Sequence, residues 1–125
     1  MFVNKIVKTN IKIVNIKNHL HSDFDYYIGR PSVLSNPYSH LEKSIAKYKV
    51  DSRDIAIDKY EEYFKEKIKT DQKFIDELNK LIDFYLLNKQ LNLCCWCYPK
   101  RCHGEIIKNY LEEQIRIQYE NFNLR

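Results

Sequence analysis

The chain has no apolar run approaching the 18 or so residues that a membrane span requires. Its first residues, Met1-Phe2-Val3-Asn4-Lys5, supply neither an apolar leader core nor a small-residue cleavage site. Neither a membrane partner nor secretion is therefore expected. Glycine and proline are scarce, at two and three residues. With no heptad and no Ser/Thr tract, that scarcity excludes collagen-like, coiled-coil and mucin-like architectures. No stretch carries five like charges, and no helix face carries a basic stripe. A G-x-S-x-G elbow, a Walker loop and an H-E-x-x-H helix are all missing, so none of those mechanisms is available.

What is present fits one cytoplasmic globular domain spanning residues 1–125, with 44% hydrophobic and 30% charged residues. The net charge of +4 invites a nucleic-acid reading. However, Lys, Ile, Asn and Tyr, all with AT-rich codons, are abundant together, and acidic residues interleave with the basic ones, as in Lys65-Glu66-Lys67. That pattern describes solvated helix faces, so nucleic acid is not expected as a partner; a small acidic or phosphorylated ligand suits the balance equally well.

Ile11–Ile16 reads as a strand, which a hairpin could extend back to Phe2, and Tyr26–Arg30 as a second, stopped by Pro31. Residues 31–40 form a structured loop, and a short turn or helix is expected over Leu41–Lys49. From Asp54 to Lys69 the spacing of Ile57, Tyr60, Phe64 and Ile68 predicts an amphipathic helix. Asp71 then N-caps a second helix that stops at Asn88. Leu91–Trp96 reads as a central strand covered on both sides. A last helix over His103–Glu120 turns Ile106, Ile107, Tyr110, Leu111 and Ile117 inward. The order β-β-α-α-β-α argues for a small α/β sheet of about three or more strands with covering helices in a Rossmann-like layering.

All four cysteines lie between Cys94 and Cys102, followed at once by His103. In a cytoplasmic protein such clustering points to a metal or a reactive thiol rather than to disulfides. Strand alternation sends Cys95 and Cys97 to one face and Cys94 and Trp96 to the other, where both are read as core. Cys102 and His103 stand at a helix start, which favours a thiolate or an anion. Cys95, Cys97, Cys102 and His103 supply four zinc-type donors, although their spacing is not that of a common finger. No cofactor is favoured, and zinc is the alternative.

A second constellation is Tyr27-Ile28-Gly29-Arg30-Pro31 with Ser35-Asn36-Pro37-Tyr38. An Arg at a strand's carboxyl end, beside a Gly that lets a ligand approach the backbone, suits phosphate or carboxylate capture. Asn36, held extended before Pro37, either offers its amide to a ligand or closes an Asx-turn. Ligands of open α/β sheets bind beyond the carboxyl ends of the strands. Arg30, Asn36, Cys97, Cys102, His103 and the Gly104 amide are therefore expected to ring one pocket. Lys100 and Arg101 would make its rim positive, and Tyr27, Tyr38 and Tyr98 are placed to stack on a planar group.

The motifs Tyr-Ile-Gly-Arg-Pro at 27–31, Asn-Pro at 36–37 and Cys-Trp-Cys-x-Pro-x-x-Cys-His-Gly at 95–104 resemble a family of small bacterial and bacteriophage proteins catalogued as domain of unknown function 4326. The likeness runs from about Asn15 to Leu111. It implies that Cys95, Cys97, Cys102 and His103 are signature positions and Cys94 incidental. Ser35 departs from the glycine common before Asn-Pro in that family.

Three readings follow. The first is a binder of a nucleotide-derived or phosphorylated ligand, which in a phage setting would sequester a host immune signal in the host cytoplasm. The second is an enzyme acting on a nucleotide or nucleoside, with Cys102 as nucleophile or His103 as acid–base. The third is a zinc-stabilised or metal-free interaction module, with Tyr63 and Phe84 as an exposed oligomer face.

Overall fold

The computed structural model of the chain describes residues 8–41 and 46–123. In chain order the elements are β1 (Ile11–Asn15), β2 (Asp25–Tyr27), β3 (Tyr38–Ser39), β4 (Tyr48–Lys49), α1 (Arg53–Thr70), α2 (Gln72–Asn88), β5 (Leu91–Cys95) and α3 (Gly104–Asn123). The expected β-β-α-α-β-α order is there, with two short strands added in the 31–50 region. A hairpin reaching back to Phe2 lies outside the described residues. So does the middle of the turn or helix expected over Leu41–Lys49; its last two residues form β4 instead, because Tyr48 N–H donates to Pro37 O and Val50 N–H to Ser39 O.

β5 lies between β1 and β2, and both pairings are parallel. All five residues of β5 are buried, which is what a strand covered on both faces must show. Leu91, Leu93 and Cys95 enter the same buried cluster as Ile11, Phe64, Phe74, Leu78, Ile107, Leu111 and Ile115. The helices thus cover that face. On the opposite face Asn92 donates to Ser22 Oγ and Asp25 Oδ1, while Cys94 is buried as expected.

Burial pushes the Cys94 thiol up to about 11, with the Asp25 charge adding to it. Asp25 is itself ionised: burial opposes its charge, but hydrogen bonds from Ser22, Asn92 and His19 outweigh that and hold its carboxyl well below the usual range.

Helix boundaries follow their caps. Ser52 Oγ accepts from Ile55 N–H at the start of α1, and Asp71 caps α2 by accepting from Phe74 N–H. Lys89, in the left-handed conformation, closes α2 through a bond to Tyr85 O. Tyr63 and Phe84 are not an exposed face. Both are half-buried against the core, and Tyr63 meets Phe74 edge-on with centroids 6.0 Å apart. In α3 the inward stripe includes Ile115, fully buried, whereas Ile117 is only half-buried.

Leu93 sits on the central strand with no exposure. Leu93→Ala is expected to cost about 2–5 kcal/mol, read as a lower urea midpoint with the slope retained. A loss under about 1 kcal/mol would mean that the sheet closes over the void.

Candidate functional site

The carboxyl ends of β1, β5 and β2 open into a cleft of about 760 Å³. Asn15 ends β1 and holds the cleft floor in place, its Nδ2 donating to Tyr98 O at 2.8 Å and Trp96 O at 3.3 Å. Of the ten expected ligand-binding residues, Tyr27, Gly29, Arg30, Asn36, Tyr38, Cys97, Tyr98, Cys102 and His103 line this one cleft; Gly104 does not.

Several of them are occupied by the protein itself. Asn36 is buried; its Nδ2 donates to Ala56 O at 3.1 Å and its Oδ1 accepts from Tyr38 N–H at 2.9 Å. It closes the Asx-turn and ties the loop to α1. Arg30 Nη1 donates to Asn36 O at 2.8 Å, leaving the rest of its fork for the cleft.

Gly29 serves a different purpose from the one expected. A Cβ there would stand 2.3–2.7 Å from the Tyr27 ring. The position is Gly so that this ring can fold back over the chain. Tyr27 Oη then donates to Arg30 O and accepts from Trp96 Nε1, both at 3.0 Å.

Trp96 corrects the reading of it as core. β5 ends at Cys95, so strand alternation no longer governs residue 96, and the indole is 61% exposed along the cleft. Gly104 is likewise reassigned. Its N–H donates to Cys102 Sγ at 3.3 Å, and a Cβ would meet Ile28 Cδ1 at 2.9 Å. Close packing of the α3 start, rather than an anion, demands glycine there. The charge of Arg101 is compensated by Asp54, Asp58 and Glu105 at 3.1, 3.3 and 3.8 Å, so it clamps α1 to α3 instead of making the rim positive.

The sulfur cluster is ordered by hydrogen bonding. Cys102 is buried, with His103 Nδ1 3.7 Å from its sulfur; the neighbouring Cys95 and Cys97, with burial, raise its thiol far above the ordinary range. This corrects the expectation of a Cys102 thiolate at the helix start: the burial and the neighbouring sulfurs win over the helix end. Cys95 and Cys97 move the other way, to about 7 and about 6, chiefly through the neighbouring Cys102. Cys95 is buried and also accepts from Tyr98 N–H at 3.4 Å. Cys97 is half-buried in the cleft, where the positive charges of Arg53 and Arg30 lower its thiol further.

His103 Nε2 lies 2.8 Å from Ile28 O. A carbonyl only accepts, so Nε2 carries the proton and Nδ1 presents a lone pair, 3.7 Å from Cys102 Sγ. Both nitrogens therefore face protein groups, and the Tyr60 ring meets the imidazole edge-on with centroids 4.9 Å apart. Among the described residues no three of His, Cys, Asp and Glu are grouped as a metal site. No helix of the described residues is long and apolar enough to cross a membrane.

Arg53 is the cleft residue that the sequence reading missed, together with Asn15, Ser39, His40 and Trp96. Its signal was faint: Ser52 is a good N-cap type, so Arg53 begins the helix one residue before the boundary read from periodicity. That it points at Cys97 is a consequence of packing.

The model of the family described as Domain of unknown function (DUF4326) matches residues 11–113. No curated protein and no solved structure matches the chain.

Proposed function

The chain belongs to the DUF4326 family, and we propose that its cleft binds a phosphorylated, nucleotide-like small molecule and retains it intact. The lining carries this reading. Arg30, Arg53 and Lys100 contribute to it, with Tyr27, Tyr38, Trp96 and Tyr98 as aromatic surfaces, and no carboxylate occurs among its described residues. Guanidinium forks recognise phosphate and aromatic faces accept a base, so this composition fits a ligand with both parts. A volume of about 760 Å³ is ample for one nucleotide.

Retention is favoured over turnover by Cys102 and His103, because the first is buried and protonated and the second turns both ring nitrogens to protein groups. Sequestering a signalling nucleotide is the role such a binder would have in a phage–host setting.

Calorimetry with ADP and with adenosine tests the reading. ADP is expected to bind at least roughly tenfold more tightly, a difference of about 1.4 kcal/mol, and to weaken as salt is added. Equal affinity for the two, or ADP binding indifferent to salt, would remove the phosphate from the proposal. ADP recovered unchanged after incubation supports retention; a processed product would replace it with the enzyme reading.

A further inference from the structure

We propose that the cleft takes a dinucleotide-type ligand, two planar bases joined through a phosphate bridge, with one base stacked on Tyr38 and the other on Trp96. The inference rests on the nucleotide reading given above and narrows the class of ligand within it.

Aromatic surface is offered at two separate places. On one side the indole of Trp96 is exposed along the cleft, and its Nε1 is anchored on Tyr27 Oη at 3.0 Å. On the other, Tyr38 and Tyr48 stack with centroids 5.1 Å apart and planes 28° from parallel, and Lys47 Nζ stands 5.3 Å from the Tyr48 centroid. The pairing of β3 with β4 sets Tyr38 beside Tyr48. Tyr38 lines the cleft and Tyr48 does not, so Tyr38 is the end of that stack which a ligand meets. Stacking on aromatic rings tolerates any base, because every base has a π-face.

Arg30 runs between the two places. Its carbonyl accepts from Tyr27 Oη at 3.0 Å, which fixes its main chain on the Trp96 side. Its Nη1 donates to Asn36 O at 2.8 Å, and Asn36 Oδ1 accepts from Tyr38 N–H at 2.9 Å, which fixes its head on the Tyr38 side. The side chain thus crosses from one aromatic surface toward the other. The donors that Asn36 leaves free serve a phosphate placed between two bases. A mononucleotide would use one surface and leave the other wet. The cleft volume of about 760 Å³ lies in the upper half of the range for ligand clefts, about 300–1,000 Å³, which leaves room for the second base.

Calorimetry on the full chain with diadenosine pyrophosphate and with ADP-ribose tests the inference. Both compounds carry a doubly esterified pyrophosphate of the same charge, and only the first has a second base. Diadenosine pyrophosphate is expected to bind at least roughly tenfold more tightly, the gain from one base stacked on an aromatic ring. Trp96→Ala and Tyr38→Ala should each bring it down to the affinity of ADP-ribose. At least one of the two variants should leave ADP-ribose binding unchanged, because its single base keeps a surface to stack on. The comparison on the native chain needs no variant, and Trp96 is exposed enough to be replaced without opening the core.

Equal affinity of the native chain for the two compounds overturns the two-base class, whereas the phosphate reading stands or falls on ADP against adenosine. If both variants weaken ADP-ribose as much as diadenosine pyrophosphate, the two rings clamp one base and the inference is overturned as well. A gain from the second adenine that survives in either variant overturns the placement of a base on that ring.

Discussion

Acidification from about pH 6.5 to about pH 4 is expected to remove roughly 3 kcal/mol of stability through His103 alone. Burial pushes this imidazole down to about 4 from an ordinary value of 6.5; the Ile28 carbonyl works against that shift, and Arg30 assists it. Between those two values the unfolded chain binds a proton that the folded chain refuses, so stability rises with pH through the window and falls as pH is lowered through it.

Two other shifted groups lose most of their contribution outside that window. The Cys97 thiol, held down to about 6, contributes stability that is full above its unfolded value and lost by about pH 6. The Asp25 carboxylate contributes above the ordinary carboxylate range and is lost only at more acid pH. His103→Gln keeps a donor for Ile28 O but has nothing to titrate. Urea midpoints taken across pH should slope for the native chain and flatten for that variant between about 6.5 and 4. A native profile already flat there would show that the imidazole charges in place and is not sealed by Tyr60 and Ile28.

Arg53→Ala is expected to weaken ADP binding by roughly 10- to 100-fold, the loss of one charge-assisted contact of about 1.5–3 kcal/mol. Its side chain is half-buried at the first turn of α1, and Ser52 rather than Arg53 caps that helix. The melting temperature should therefore hardly move. Arg30→Ala provides the contrast. Arg30 also donates to Asn36 O, so its removal should weaken ADP binding and lower the melting temperature together. Arg53→Ala binding ADP like the native chain would place the phosphate at the Lys100 side of the cleft. Equal melting temperatures for the two variants would show that the 31–36 loop does not depend on Arg30.

The sequence determined the layering and most of the site. Spacings of three and four from Ile57 to Ile68 make α1, Asp71 can cap α2, and an uninterrupted apolar run makes β5 central. Local chemistry suffices for each, because periodicity and capping involve residues a few positions apart. Placement of Arg30 and the Cys-His segment at carboxyl strand ends, and hence their meeting, follows from parallel topology and was legible too.

Tertiary structure decided how each group is used. Cys102 reads as the activated thiol from the helix start, but its neighbours Cys95 and Cys97, together with burial, push that thiol up instead. Trp96 reads as core until β5 ends one residue earlier, and Arg101 reads as a free cation until α1 brings Asp54 and Asp58 to it. Gly29 reads as room for a ligand until the Tyr27 ring fills the space. Arg53 enters only because α1 packs with its first turn over the cleft. Protonation states, charge compensation and exposure depend on neighbours dozens of residues away in the chain, and only the packed fold brings those neighbours together.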